Sequence, residues 1–272
     1  MARGRRCIAK HRCHRSADGR ETTGVDMNPQ CQICGLQLAR YNTRDCLEDI
    51  LERARNGQGA WLVTLNTEML ARCARDVTYH ELIGLADIIT ADGMPLVWAS
   101  RCKGTGQAIA GRTTGVDLVD AYLRLPQVPA YAIIGGQDPL ATLALYAPAA
   151  QKACRYLFDG KVDLGEAQLD EFANALKQQD VRTVFIALGV PKQDHLALQL
   201  RARLPYLVLM GIGGTFEILG PKGGRAPRWM QSVGLEWLYR LGREPRRLWK
   251  RYLLGYPAGI GMLLRDCLKA RP

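Results

Sequence analysis

Residues 206–251 read YLVLMGIGGTFEILGPKGGRAPRWMQSVGLEWLYRLGREPRRLWKR, and this stretch decides the fold. Its first five residues form an apolar run with the length and branching of a buried parallel strand. The run ends in the turn GIGGT, where the backbone amides of Gly213 and Gly214 can approach an anion at the start of a helix. Such a turn alone is common in α/β proteins, but here it is followed by a dense group of arginines. Together they predict a site for a phosphorylated ligand; the arginines are Arg225, Arg228, Arg240, Arg243, Arg246, Arg247 and Arg251.

The pattern of apolar strand, glycine turn and helix recurs along the chain. Residues 130–134 and 183–187 precede glycine turns, and residues 61–65 and 87–91 are similar apolar runs nearer the N-terminus. An opening strand is predicted over residues 31–38, and the helix after residues 130–134 is predicted to run to about residue 154. Strands separated by amphipathic helices predict a parallel sheet, because each crossover returns the chain to the same edge. We therefore predict an α/β fold, a Rossmann-like parallel sheet flanked by helices, whose glycine turns line one crevice.

Positive charge is concentrated at the two ends of the chain. Of the net charge of +11, residues 222–272 supply twelve Lys/Arg against three Asp/Glu, and residues 1–26 seven against three. We predict a disordered extension over residues 1–26, the α/β core over residues 27–221, and a basic, helical, membrane-associating appendage over residues 222–272. The arginines are not interleaved with an exposed aromatic pattern, so nucleic acid is not an expected partner.

Several weaker features of the sequence indicate where in the cell the protein is located. The apolar segment 252–264 is too short to span a bilayer, and either a helix in the membrane interface or a helix packed on the core fits it. The N-terminus lacks the apolar region of a secretory signal, and nine cysteines, an odd number, are typical of reduced thiols in the cytosol. Cys31 and Cys34 have the spacing of a zinc knuckle, but they fall in a predicted strand, so no metal is expected.

Polar residues follow the predicted strands directly. Thr64 and Asn66 stand at the end of one strand, and Asp92 follows the next, beside a glycine. Because open α/β sheets bind ligands at the carboxyl ends of their strands, these three are candidate site residues. Structural alternatives remain open: Asp92 as a helix N-cap, Arg112 as a solvated surface cation rather than a phosphate ligand, and Gln193 as a capping side chain.

Seven motifs in a fixed order resemble those of the WecG/TagA/CpsF bacterial glycosyltransferases, glycosyltransferase family 26. The resemblance covers about residues 30–255. One departure is RYLFDGKVD (155–163), which stands where relatives often have a His-Gly-Tyr-Phe-like stretch and leaves Tyr156 and Phe158 as candidates for stacking on the base. The motifs are TLNTEM (64–69), ADGMPLVWASR (91–101), GRTTGVDL (111–118), ALGVPKQD (187–194), GIGGTFEILG (211–220), RAPRW (225–229) and LEWLYRLGREPRR (235–247).

The resemblance implies an inverting transfer of a hexose or N-acetylhexosamine (for example N-acetylmannosamine, its uronic acid or glucose) from a UDP-sugar to a polyprenyl-diphosphate-linked acceptor. The product is a bacterial exopolysaccharide or cell-surface polysaccharide, and Asp92 matches the family's general base. No Asp-x-Asp pair occurs in the chain, so arginines and helix N-termini are expected to offset the charge of the leaving diphosphate, with no metal or cofactor. The implied substrate-binding residues are Thr64, Asn66, Arg112, Gln193, Gly213, Gly214, Arg225, Arg240, Arg247 and Arg251.

A lipid-linked acceptor implies a cytoplasmic protein held peripherally at the anionic inner face of the membrane, and a homo-oligomer is possible. Two other classes of function compete with this interpretation. An NAD(P)-dependent Rossmann oxidoreductase would use Gly211 and Gly213 as its fingerprint, but Phe216 stands where the third glycine belongs. A non-catalytic membrane adaptor is suggested only by the basic C-terminal segment.

Overall fold

The computed structural model describes residues 30–221 and 223–269. The predicted extension, residues 1–26, lies outside the described residues. The side chains of Thr105, Arg228, Arg247, Arg251 and Leu254 lie outside them as well.

A six-stranded sheet forms the centre of the described chain, with the order β4-β3-β8-β7-β5-β6 and all neighbouring strands parallel. Helices pack on both faces, which confirms the predicted fold class. The strands are β1 (Gln30–Ile33), β2 (Leu36–Ala39), β3 (Ala60–Leu65), β4 (Ile88–Ala91), β5 (Tyr131–Gly135), β6 (Cys154–Phe158), β7 (Thr183–Ala187) and β8 (Val208–Gly211).

Helices connect the strands and complete the C-terminal part of the chain. A short 3-10 turn occupies Thr105–Gln107 and a π-helical turn occupies Arg251–Gly255. The α-helices are α1 (Thr43–Asn56), α2 (Thr67–Cys73), α3 (Val77–Gly84), α4 (Met94–Arg101), α5 (Gly115–Leu123), α6 (Pro139–Tyr146), α7 (Pro148–Gln151), α8 (Glu166–Gln178), α9 (Lys192–Arg203), α10 (Thr215–Leu219), α11 (Arg228–Ser232), α12 (Glu236–Arg243), α13 (Pro245–Lys250) and α14 (Tyr256–Lys269).

The strands are buried on both faces, which explains why they appear in the sequence as continuous apolar runs. Along β3 the side chains alternate between two hydrophobic cores: Trp61 and Val63 pack into one, and Leu62 packs into the other. β3 pairs with β8, where Trp61 lies opposite Leu209. These central strands therefore fix the carboxyl edge on which the loops and helix starts converge.

The first strand of the chain does not join the main sheet. The sequence predicted a strand over residues 31–38, but β1 and β2 form a separate antiparallel hairpin in which Cys31 pairs with Leu38. The hairpin turns at Cys34 and Gly35, which have φ of 52° and 83°. Glycine adopts this left-handed region readily, so Gly35 marks a turn that the apolar pattern concealed.

The strand β6 was not predicted from the sequence. The helix expected to run to about residue 154 is divided into α6 and α7 and ends at Gln151, and β6 begins at Cys154 and pairs with β5 at the edge of the sheet. Phe158 packs against Phe172 with ring centroids 4.9 Å apart, and Tyr156 is partly buried against the same core. Neither aromatic side chain is placed at the carboxyl edge of the central strands.

The C-terminal helix α14 packs on the core against α2 and α4, with Leu263 buried. Its end is also tied to the first hairpin, because Asp266 accepts a hydrogen bond of 2.9 Å from the amide of Cys34 and pairs with Lys103 at 2.8 Å. Of the two interpretations of residues 252–264, the structure shows a helix packed on the core. No helix in the described residues has both the length and the apolar character needed to cross a bilayer.

Two glycines of α14 allow a matched test of this packing. A Cβ at Gly259 would lie 2.3 Å from the carbonyl oxygen of Thr67 in α2, whereas a Cβ at Gly261 would meet nothing within 4 Å. We expect Gly259→Ala to lower the free energy of unfolding by about 1–3 kcal/mol through overpacking. Gly261→Ala is expected to raise it by up to about 1 kcal/mol, since alanine is the better helix former. Denaturant unfolding checks both; equal effects would contradict close packing of α14 on α2.

Candidate functional site

A cavity of about 1090 Å³ opens where the carboxyl ends of β3, β4, β7 and β8 meet the C-terminal helices. The turns after these strands line its floor, and residues of α12 and α14 line the opposite side. The prediction that every glycine turn lines this crevice is wrong for Gly135, the last residue of β5, and for Gly136, neither of which lines the cavity. The side chain of Phe216 packs there, and a Cβ at Gly136 would lie 3.3 Å from its ring.

Asp92 lies in this cavity at the end of β4. Its backbone amide donates a 2.8 Å hydrogen bond to the carbonyl of Leu65, which fixes the strand end. The N-cap of α4 is Gly93, without a side-chain capping bond, so the N-cap alternative for Asp92 does not describe this structure. The carboxylate makes no hydrogen bond or ion pair with any other described side chain, which leaves it available to a ligand.

The surroundings of Asp92 favour its neutral form. Burial raises the pKa of this carboxyl to about 7, against the lowering effect of the charges on Arg240 and Arg112. Glu236 and Asp117 add smaller contributions that raise it further. A carboxyl group with a pKa near neutrality can take up a proton from a bound hydroxyl group and still be partly ionised at physiological pH.

Thr64 and Asn66 line the same cavity beside Asp92. The hydroxyl group of Thr64 donates to the carbonyl of Gly211 at 3.3 Å. The Oδ1 atom of Asn66 caps α2 by accepting from the amides of Glu68 and Met69, both at 3.0 Å. Each side chain therefore holds the local backbone and also faces the cavity.

Gln193, Gly213 and Gly214 form the opposite part of the floor. The Oε1 atom of Gln193 accepts a 3.1 Å hydrogen bond from the amide of Gly213, so this amide already has a partner within the protein. Gln193 is 5% exposed and is the second residue of α9, so it fixes the turn rather than capping its own helix. Its neighbour Lys192 is directed elsewhere, because its Nζ donates to the carbonyl of Val162 at 2.6 Å.

Two predicted arginines line the cavity and share one carboxylate. Arg112 donates from Nη1 to Oε2 of Glu236 at 2.6 Å and from Nη2 to Oε1 of Gln231 at 2.8 Å. Arg240 donates from Nη2 to the other oxygen of Glu236 at 2.7 Å. Burial acts to raise the pKa of Glu236, but the attraction of Arg240 and Arg112 outweighs it and lowers that pKa below its usual value. Glu236 is therefore an anion that bridges the core and α12.

Arg225 occupies a different position from the one predicted. It pairs with Asp117 at the start of α5 and is not part of the cavity lining, and its Nε and Nη2 atoms are buried without a hydrogen-bond partner among the described residues. Asp117 also accepts from the hydroxyl group of Thr114 at 2.8 Å. The side chains of the other two predicted arginines, Arg247 and Arg251, lie outside the described part of the chain.

The carboxylate, the glycine turns and the arginines thus meet at one edge of a parallel sheet. A model of the glycosyl transferase WecG/TagA/CpsF family matches residues 31–272. The chain belongs to this family. It is a glycosyltransferase of the kind that acts in cell-surface polysaccharide synthesis, and the resemblance noted in the sequence is confirmed. The oxidoreductase alternative gains no support from this match.

The site of this glycosyltransferase also contains acidic residues that sequence reasoning missed. Glu236 lies in the motif LEWLYRLGREPRR, and its spacing of four from Arg240 is the signal that points to their ion pair. Glu217 lines the cavity and accepts from the amide of Gln137 at 3.2 Å through Oε1, and its Oε2 atom is buried without a hydrogen-bond partner in the described part of the chain. No simple spacing rule distinguishes Glu217 from an exposed helix residue.

The mouth of the glycosyltransferase cavity has an apolar, aromatic character. Trp98, Val233 and Leu253 line it and are 45%, 50% and 59% exposed. Tyr252 packs between Trp237 and Tyr256, with ring centroids 5.8 and 4.7 Å away. Exposed apolar side chains grouped at a cavity mouth are typical of a surface that receives an apolar ligand or a membrane.

Cys31 and Cys34, the two cysteines with zinc-knuckle spacing, do not lie at the cavity. Both are buried free thiols in the first hairpin, remote from the cavity lining. In residues 30–221 and 223–269, no three His, Cys, Asp or Glu side chains are grouped as around a metal ion.

Proposed function

We propose that this glycosyltransferase transfers a hexose or N-acetylhexosamine from a UDP-sugar to a polyprenyl-diphosphate-linked acceptor, with inversion at the anomeric carbon. The observation that carries the proposal is Asp92, a carboxylate without a side-chain partner in the described chain, whose pKa burial raises to about 7 at the floor of the cavity. The family match supports transfer of a sugar. The donor nucleotide and the lipid-linked acceptor are our extension of it.

In the proposed reaction, Asp92 accepts the proton of the acceptor hydroxyl group. As that oxygen forms its bond to the anomeric carbon, the bond from that carbon to the diphosphate oxygen breaks, and UDP leaves with the electron pair. Attack from the face opposite the diphosphate inverts the configuration in one displacement. A base with a pKa near 7 is suited to this step, because a more acidic carboxylate would be a weaker acceptor and a more basic group would be protonated at neutral pH.

The negative charge that develops on the leaving diphosphate needs a positive counterpart. Arg112 and Arg240 line the cavity and lie close enough to Asp92 to lower its pKa, so they are suitably placed for this role. Arginine binds phosphate through paired N–H groups and stays protonated in proteins. We propose that these arginines, rather than a metal ion, offset the charge of the outgoing UDP.

The apolar mouth offers a place for the lipid part of the acceptor. Trp98, Val233 and Leu253 surround the entrance, and α12 to α14 carry basic residues beside it. A polyprenyl chain would extend from this mouth into the bilayer, which supports attachment at the anionic inner face of the membrane. Membrane attachment and oligomeric state stay predictions of the sequence.

Replacing Asp92 by Asn tests the base. We expect Asp92→Asn to lower kcat by at least about 100-fold, since an amide cannot accept the proton. The Kd of UDP should change by less than about threefold, because Asn keeps the size of the side chain and adds no charge. Transfer to a lipid-linked acceptor and calorimetric titration with UDP give the two numbers. Turnover retained within a few-fold of wild type would remove Asp92 from this role.

Chelation tests the proposed role of the arginines. Transfer should continue at an unchanged rate in EDTA, because guanidinium groups require no divalent ion. The measurement is the initial rate before and after EDTA treatment, with added Mg²⁺ or Mn²⁺ as the comparison. Loss of activity that either ion restores would contradict the metal-free mechanism.

A further inference from the structure

Glu236 bridges Arg112 and Arg240, the two cavity arginines that we propose bind the donor diphosphate. Each of its two carboxylate oxygens accepts a hydrogen bond from one guanidinium group, that of Arg112 at 2.6 Å and that of Arg240 at 2.7 Å. The side chains of Glu236 and Arg112 are only 13% and 14% exposed. The carboxylate of Glu236 therefore offsets one of the two positive charges and takes up one N–H group of each arginine, and a second N–H group of Arg112 is taken up by Gln231.

Carboxylates that line the cavity also repel an anionic ligand. Glu236 lines the cavity itself, and Glu217 lines it as well, with its Oε2 atom buried and without a hydrogen-bond partner among the described residues. A diphosphate that entered beside the intact bridge would lie close to these carboxylates. Direct addition to the resting site would leave like charges close together at low dielectric, which is unfavourable.

Guanidinium groups bind carboxylates and phosphates with the same paired geometry. We propose that Glu236 is an internal competitor for the donor diphosphate: it holds Arg112 and Arg240, and phosphate oxygens replace it when the donor binds. The inference rests on the proposed function, because it takes a nucleoside diphosphate sugar as the ligand. It adds a selection step, since a ligand must carry anionic oxygens, such as those of a diphosphate, to take both arginines from Glu236.

The exchange also changes how the C-terminal helices are held. Glu236 begins α12, and its pair with Arg112 joins residues 124 positions apart. When phosphate takes over Arg112, this direct link between the core and α12 is replaced by one that passes through the ligand. The donor then becomes part of the contact that closes the cavity.

Calorimetric titration of the full-length protein with UDP and with uridine tests the proposal. Glu236→Gln keeps the shape of the side chain but removes the charge that holds the arginines, so the Kd of UDP should fall about tenfold. Glu236→Asp keeps the charge but is one methylene too short to bridge both arginines, so the Kd should fall about threefold. The Kd of uridine, which has no phosphate, should not change in either variant.

Glu217→Gln is the matched control, because Glu217 lines the same cavity, accepts from the amide of Gln137 and forms no ion pair with a described arginine, so the change removes one negative charge and leaves Glu236 in place. We expect it to change the Kd of UDP by less than about twofold. Thermal melting of each variant confirms that it is folded. If one Glu236 variant fails to fold, the other carries the test, since both are expected to tighten UDP binding.

The outcomes separate the two proposals. If wild type binds UDP and neither Glu236 variant binds it more tightly, Glu236 is an anchor for α12 and the competitor role is overturned. An equal gain from Glu217→Gln would also overturn it, because overall charge would then explain the effect. If wild type binds neither UDP nor uridine, the UDP-sugar function itself is contradicted.

Discussion

The ion pair between Arg112 and Glu236 joins the sheet-bearing core to the helices that follow the last strand. Arg112 follows the strand that carries Asp92, whereas Glu236 begins a helix beyond the last strand of the sheet. Both charges are largely shielded from water, and such a pair is stable only when its remaining hydrogen-bonding groups are also satisfied. Gln231 and Arg240 satisfy them here, and so determine where the C-terminal helices stand over the cavity.

This closure is also what changes the chemistry of Asp92. At the edge of an open sheet, a carboxylate is hydrated and stays ionised far below neutral pH. Asp92 lies under the C-terminal helices. The loss of hydration there raises its pKa by more than the charges of Arg240 and Arg112 lower it. The same helices supply Arg240 and the apolar mouth. One packing arrangement therefore accounts for the base, the cations and the entrance of the proposed reaction.

The sequence predicted the central strands and the position of Asp92 well, because buried parallel strands are continuous apolar runs and their carboxyl ends share one edge. It failed for β6, an edge strand whose partly exposed residues, including the exposed Arg155, weaken that signal. It also failed for the hairpin, where a turn at Cys34 and Gly35 interrupts an apolar pattern that continues on both sides.

The sequence indicated which arginines belong to a phosphate site, but it did not indicate which residues those arginines pair with. The pairing of Arg225 with Asp117 and of Arg112 with Glu236 joins segments more than 100 residues apart, and no local period records such contacts. The spacing of Glu236 and Arg240 was visible, since they are four residues apart on one helix. The sequence could thus indicate a phosphate site, whereas the state of its charges required the fold.

The account depends most on the raised pKa of Asp92, and NMR titration of its side-chain carboxyl carbon measures this directly. With ¹³C-labelled aspartate, and with the resonance assigned by its loss in the Asn variant, we predict a midpoint near pH 7 rather than near the ordinary value of 3.8. Because only the ionised form accepts a proton, kcat/KM should fall as the pH drops through the same midpoint. A midpoint near pH 4, with activity unaffected between pH 5 and 7, would contradict the central claim.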